Sequence, residues 1–218
     1  MENKVTSMHS RLKDALFEEI DELFIYANDY FADYLLGLLD EFIEKEQIPE
    51  PIAAKMIPHF LWWAILTYRS PKNRKTIFQH YLESPEYKSR RKPYLHKNVS
   101  QWKYVLPSFY YVEEILGDRA LVLIDIFQMK EKLVGVFNEV YHPPSERQMV
   151  FGYILPDGDG TYSPIIDFFH IPSEHKQEVA IQIIQFYNKK AVTTDRQFFE
   201  KYFPKLLSII SKIIDKQN

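Results

Sequence analysis

The segment from residue 69 to residue 104 combines side chains that can bind an anionic partner. It contains ten Lys and Arg residues interleaved with Tyr, Phe and Trp. Cations neutralise carboxylates or phosphates, and exposed rings add contact area or stack on bases. We expect an acidic partner to be steered by the cations and contacted by the rings. The predicted binding residues are Arg74, Lys75, Arg90, Arg91, Lys92, Tyr94 and Trp102.

Charge is distributed unevenly along the chain. Residues 1–68 hold five Lys/Arg and thirteen Asp/Glu, residues 69–104 hold ten and two, and the whole chain has a net charge of -3. This asymmetry favours either a partner surface or docking of the basic segment on the acidic N-terminal helices. An acidic protein surface is the predicted partner. Nucleic acid is the alternative, although a pI of 6.2 is unlike that of a dedicated nucleic-acid-binding domain.

Histidines offer a weaker case for an enzyme. None of the seven forms an H-x-x-x-H pair, so no metal site and no cofactor are predicted. His59 lies beside large apolar residues and could be buried. Asp167 and His170 flank two Phe, and a strand would place them on opposite faces. An enzyme with an unrecognised site is the second alternative: it requires a concave site where titratable groups converge from separate segments, and a deep pocket around Asp167, His170 or His59 would favour it.

The usual motifs for phosphate cradling, dinucleotide binding, hydrolase elbows and zinc peptidases do not occur in the sequence. Residues 157–160, Asp-Gly-Asp-Gly, open like a calcium loop, but Tyr162 and Phe168 occupy the positions that require Gly and Glu. This segment is therefore predicted to be a hairpin turn.

The cellular compartment is predicted from three absent features: Cys, a signal-peptide pattern and a membrane-spanning apolar run. Its lack of Cys excludes disulfides, thiolate zinc sites and cysteine nucleophiles, which fits a reducing compartment. The first fourteen residues have no apolar run typical of a signal peptide, and the longest apolar stretch, residues 60–66, is too short to cross a bilayer. We expect a cytoplasmic protein without a membrane partner.

The elements that must position these residues differ between the two halves of the chain. Apolar positions over residues 12–42 recur at spacings of three and four, which predicts an amphipathic helix with a break at Asn28-Asp29. Further helices are predicted up to residue 104, one of them starting at Ser84-Pro85. The predicted division is a helical region over residues 1–106, a sheet or small barrel over 107–172, and a C-terminal helical pair over 173–218.

The middle region has the pattern of an antiparallel sheet. Aromatic and β-branched runs occupy residues 109–115, 120–127, 132–140, 149–155 and 162–169, with turn residues between them. They predict a small five-stranded antiparallel sheet or barrel within an α+β fold. In the last helix, a stripe is expected to cover the sheet or, if exposed, to form a homodimer. The stripe comprises Leu206, Leu207, Ile210, Ile213 and Ile214.

Four segments carry a resemblance to a known family: FLWW (60–63), TIFQHYL (76–82), PSFYYVEE (107–114) and GYILPDGD (152–159). In this order they resemble the N-terminal region of uncharacterised bacterial proteins with a SEC-C motif, over about residues 55–172. That motif is a cysteine-rich zinc knuckle, which a chain without Cys cannot build. The resemblance implies an accessory or adaptor role in a Gram-positive-type bacterium and supplies no catalytic residues. The uneven charge, the abundant aromatic residues and the absence of catalytic motifs predict a non-enzymatic adaptor.

Overall fold

The computed structural model describes residues 8–137, 141–190 and 194–216. In these ranges the chain forms an α+β fold with a helical N-terminal half, a curled seven-stranded sheet and two C-terminal helices. The helices are α1 Met8–Glu46, α2 Glu50–Leu66, α3 Ile77–Glu83, α4 Pro85–Arg90, α5 Pro93–Val99, a 3-10 helix Ser100–Tyr104, α6 Lys176–Lys189 and α7 Asp195–Asp215. The strands are β1 Ser108–Ile115, β2 Ala120–Asp125, β3 Lys130–Gly135, β4 Met149–Gly152, β5 Ile154–Pro156, β6 Tyr162–Pro164 and β7 Phe169–Ile171.

Helix α1 buries one face and exposes an acidic one. Leu16, Ile20, Leu23 and Ala27 follow one another at spacings of four, three and four and are all buried, as the apolar pattern predicts. The predicted break at Asn28-Asp29 is instead a kink at Phe31, whose φ of -135° and ψ of 15° are not helical. The chain is helical on both sides of this residue, so α1 is one long helix with a bend.

Capping residues start α3 and α4, the first two of the short helices that follow. Thr76 accepts a hydrogen bond from the Gln79 amide, and the Gln79 side chain accepts one from the Thr76 amide, a capping box that begins α3. Ser84 caps α4 and Pro85 occupies its first position, as predicted. These starts divide the basic segment into separate short helices, so its cations do not share a single helix face.

The sheet differs from the predicted antiparallel five strands. Its order is β5-β6-β3-β2-β1-β4-β7, and β3 pairs with β6 in parallel, so the sheet is mixed. The run 149–155 splits at Tyr153 into β4 and β5, and the run 162–169 splits into β6 and β7. In the run 132–140, strand β3 ends at Gly135, and residues 138–140 lie outside the described residues. Two runs that were each predicted to be one strand therefore supply four.

Chain continuity between β4 and β5 curls the sheet. Only Tyr153 separates these strands, yet β5 is at one edge of the sheet and β4 is next to the other edge. A flat sheet cannot meet this condition, because several neighbouring strand spacings would separate the two. The concave side encloses its own apolar cluster, which comprises Tyr110, Val112, Leu121, Leu123, Val134, Val136, Val150, Ile154 and Phe168.

The other sheet face packs on the helices. Trp63 of α2 donates a hydrogen bond from Nε1 to the Phe199 carbonyl of α7 at 2.9 Å, and the Thr67 and Tyr153 hydroxyls are 3.2 Å apart. Most of the α7 stripe is inside this core: Leu206, Leu207 and Ile210 have no exposed surface, and Ile214 at its end is partly buried. These side chains are therefore not available for the homodimer that was predicted for an exposed stripe.

Glycine is required at position 152, where β4 approaches two rings. A Cβ there would lie 2.9 Å from Phe168 Cδ1 and 3.7 Å from His59 Cε1. We predict that Gly152→Ala lowers the free energy of unfolding by about 1–3 kcal/mol, because the buried Phe168 ring must move.

Gly37→Ala is the matched control, since nothing lies within 4 Å of its added Cβ. In helix α1 it should raise that free energy by about 0.5–1 kcal/mol. Urea unfolding midpoints that shift in the same direction for both variants would contradict this prediction.

Candidate functional site

Part of the predicted basic site is exposed. Arg91 and Lys92 join α4 to α5, and Tyr94 lies in α5 with 56% of its surface exposed. Lys97 follows Tyr94 by three residues, on the same side of this helix, and is also exposed. We call these four residues the α4–α5 basic surface. Arg74 is exposed in the loop before α3, where its φ is 59°.

Two predicted cations are engaged within the protein. Lys75 Nζ lies 2.6 Å from Glu83 Oε2. Arg90 contacts two carboxylates of α1: its Nη1 is 3.0 Å from Glu22 Oε2, and its Nη2 is 3.3 Å from Glu19 Oε1. At Arg90 the basic segment is thus docked on the acidic N-terminal helix, which was the competing interpretation of the charge pattern.

Trp102 does not contribute to any surface. It is 1% exposed and packs beside Phe78, with 6.1 Å between ring centres, so the contact area expected from it is not available. The 3-10 helix turns Trp102 inward and its neighbours outward. Tyr104 is 64% exposed, and Lys103 Nζ lies 4.8 Å from the centre of its ring. Tyr104 is the exposed ring that sequence reasoning did not select.

The docked part of the segment is organised by a buried hydrogen-bond network. The Tyr81 hydroxyl donates to Glu19 Oε1, and Arg90 Nη2 donates to the Tyr81 oxygen at 2.6 Å. Burial and the hydrogen bond to Glu19 raise the pKa of Tyr81, so the phenol remains protonated. Glu19 is 6% exposed and depends on these two partners. The network therefore joins α1, α3 and α4.

We predict that Arg90→Gln lowers the free energy of unfolding by about 1–3 kcal/mol, because the buried Glu19 loses its cationic donor. Arg91→Gln is the matched control next in sequence; Arg91 is exposed, so its change should be within about 0.5 kcal/mol. Urea unfolding followed by tryptophan fluorescence measures both variants. Equal effects of the two substitutions would show that Arg90 is not structural.

A second candidate site is a cleft of about 810 Å³ between α2, β7 and the end of α7. Its polar lining includes His59, His142, Asp167 and His170, and we call it the histidine cleft. The prediction that Asp167 and His170 face apart is wrong. Asp167 precedes β7, so the alternation of a strand does not set its direction, and both residues line the same cleft.

Asp167 and His142 form a defined pair. Asp167 Oδ2 lies 2.6 Å from His142 Nδ1 and accepts from the His142 amide at 3.1 Å. Asp167 Oδ1 accepts from the Phe168 amide at 3.1 Å. Both carboxylate oxygens therefore have partners, and the imidazole is held with Nδ1 towards the carboxylate. The His142 side chain is otherwise open, with 75% of it exposed.

The other two histidines are shielded. His59 is 3% exposed, its ring packs on Phe151 with 4.7 Å between centres, and burial lowers its pKa to about 3. Burial also lowers the pKa of His170, an effect that the charge of Asp167 opposes. Among the described residues, neither His59 Nδ1 nor His170 Nε2 has a hydrogen-bond partner, although both atoms are buried. Both rings are therefore neutral near pH 7 and carry an unpaired nitrogen.

The three histidines come from positions 59, 142 and 170, far apart in sequence. Only the proximity of Asp167 and His170 was visible in the sequence, and strand alternation argued against it. Within the described ranges, no three His, Asp or Glu side chains are arranged to hold a metal ion. The helices in those ranges are also not long and apolar enough to cross a bilayer.

Comparison with known proteins adds no family to these observations. No protein-family model, curated protein or solved structure matches the chain.

The buried state of His59 leads to a pH dependence of stability. Its pKa is about 3 in the folded protein and near 6.5 ordinarily, so between these values the unfolded chain binds more protons. Stability should therefore fall as pH decreases through this window, by up to about 1.4 kcal/mol per pH unit from His59. We predict a smaller decrease for His59→Phe than for the native protein between about pH 6.5 and about pH 4.5, measured by urea unfolding. Parallel pH profiles would contradict the burial of a neutral His59.

Proposed function

We propose that the protein is a non-enzymatic recognition or adaptor protein that binds an acidic protein surface through the α4–α5 basic surface. The observation that supports this most is the exposure of three cations without ion-pair partners. Arg91, Lys92 and Lys97 are exposed, and none of them forms an ion pair with a described residue. Tyr94 exposes a large ring among them. The resemblance to the N-terminal region of SEC-C motif proteins implies the same kind of role.

The surroundings of this surface favour a protein over a nucleic acid. Glu86 is exposed on α4 and accepts a hydrogen bond from Tyr30 of α1 at 2.8 Å. Glu22 of α1 forms an ion pair with Arg90, the last residue of α4. An extended phosphate backbone that follows the cations would meet these carboxylates, whereas a compact acidic patch can contact the α4–α5 linker alone. Nucleic acid is therefore an outcome of the test and not the proposal.

Exposed cations and the tyrosine have different roles in such an interface. Charges at a solvated rim mainly accelerate association and set its salt dependence, and each contributes little to affinity. Tyr94 supplies contact area at a small cost in conformational entropy, because it has only two side-chain torsions. We therefore expect Tyr94→Ala to increase the dissociation rate and reversal of the charges to decrease the association rate.

The test is a pull-down from native lysate with the tagged full chain, run with and without nuclease. We predict that Arg91→Glu with Lys92→Glu removes a protein partner that the native chain retains after nuclease, and weakens its binding roughly tenfold or more. Lys212→Glu with Lys216→Glu is the control, since both residues are exposed at the end of α7. Arg90 is left unchanged because it supports the fold.

Three results would overturn the proposal. A partner that both double variants retain equally would place the interface elsewhere. Loss of the captured material after nuclease, with affinity that falls steeply as salt rises, would indicate nucleic acid. If the native chain and the Arg91→Glu, Lys92→Glu variant capture the same material, the proposed interaction does not occur.

A further inference from the structure

We propose that the histidine cleft binds a small organic acid: a single carboxylate on an apolar body. The proposal concerns residues that the α4–α5 basic surface does not use, so the two can fail separately. It is based on the size and walls of the cleft, on an unpaired cation, and on two buried imidazole rings with unpaired nitrogens.

The cleft has the dimensions and walls of a small-molecule site. Its volume of about 810 Å³ lies within the range of ligand pockets. Apolar side chains from three parts of the fold form most of the lining. They are Pro51, Ile52, Pro58, Ile166, Phe168, Phe169, Pro172 and Ile214. Such walls take up an apolar body, and the few polar groups between them must fix its orientation.

Charge around the cleft favours an anion. The carboxylate in the lining, Asp167, already accepts hydrogen bonds on both oxygens from His142 and Phe168. The cation in the lining, Lys55, is exposed and forms no ion pair with a described residue. Lys55 precedes His59 by four residues in α2, so the ammonium group and the imidazole lie one helical turn apart on one face. A carboxylate bound by Lys55 therefore lies about one helical turn from the His59 ring.

The buried rings can share the proton of a carboxylic acid. His170 Nε2 has no hydrogen-bond partner among the described residues. A neutral imidazole has one donor and one acceptor nitrogen, so Nε2 accepts a hydrogen bond in the tautomer with its proton on Nδ1. His59 likewise has an unpaired ring nitrogen. A carboxylate that takes up a proton and shares it with such a nitrogen satisfies that nitrogen and keeps its second oxygen for Lys55, whereas an alcohol or a hydrocarbon has no carboxylate for Lys55.

Proton uptake follows from this arrangement. The acid is ionised in water near pH 7, and the rings are neutral, so complex formation takes up one proton. Each buried ring faces the other one, Lys55 of α2, and Asp167 and His142, which lie in loops. From the described part of α7, the lining includes the apolar Ile214 alone. One proton taken up corresponds to an affinity that falls by up to about tenfold per pH unit.

Isothermal titration calorimetry of the full chain with octanoate, 1-octanol and octylamine tests the proposal. We expect octanoate to bind roughly tenfold or more tightly than the alcohol or the amine of the same length. We expect its affinity to fall between about pH 5.5 and about pH 7.5, with heats that depend on the buffer as uptake of one proton requires. Equal binding of the three compounds, or no binding of octanoate, would overturn the proposal.

Variants separate a binding role from a structural one. Lys55→Gln should weaken octanoate roughly tenfold and leave 1-octanol unchanged, whereas Lys212→Gln on α7 should change neither. His59→Phe should weaken octanoate and reduce proton uptake, while its thermal midpoint stays the same or rises because an unpaired buried nitrogen is removed. Unchanged octanoate affinity in both Lys55→Gln and His59→Phe would overturn the proposal even if the native chain binds this acid.

Discussion

Tyr153 connects the two sides of this fold, and much of the remaining geometry depends on it. Its backbone carries the chain from β4 to β5, from next to one edge of the sheet to the other, and its carbonyl accepts a hydrogen bond from Ile165 at 3.2 Å. Its fully buried ring lies against Phe203 of α7, and its hydroxyl meets Thr67 just after α2. One residue therefore curls the sheet and attaches it to the helices. The neighbours of Tyr153, Phe151 and Gly152, bring β4 against His59.

The cations of the basic segment are in two different environments within a few residues of one another. At Arg90 it is internal, because Glu19 and Glu22 of α1 neutralise the guanidinium beside a buried tyrosine. One residue later, Arg91 and Lys92 extend into solvent where α4 ends. The end of a helix thus separates a structural cation from cations that are free to meet a partner. Docking therefore describes Arg90, whereas recognition is the role proposed for Arg91 and Lys92.

Local patterns predicted the elements well and their arrangement poorly. Apolar spacing identified α1, and Ser84-Pro85 identified the start of α4, because caps and amphipathic faces are encoded within a few residues. The splitting of run 149–155 was not predictable in the same way. Every residue from 149 to 155 is buried, so the sequence shows one continuous apolar run whether or not the chain changes neighbours. The histidine cleft depends on this arrangement, and it brings together residues from positions 59, 142 and 170.

A sheet that curls without closing retains two free borders, and here both are small. The border strands β5 and β7 each have only three residues, β5 ends in Pro156, and Pro172 follows β7 directly. Proline has no amide hydrogen, and so short a strand offers few backbone groups to a neighbouring chain. The curled sheet is therefore protected against edge-to-edge self-association, which matters for a chain in which 46% of residues are hydrophobic.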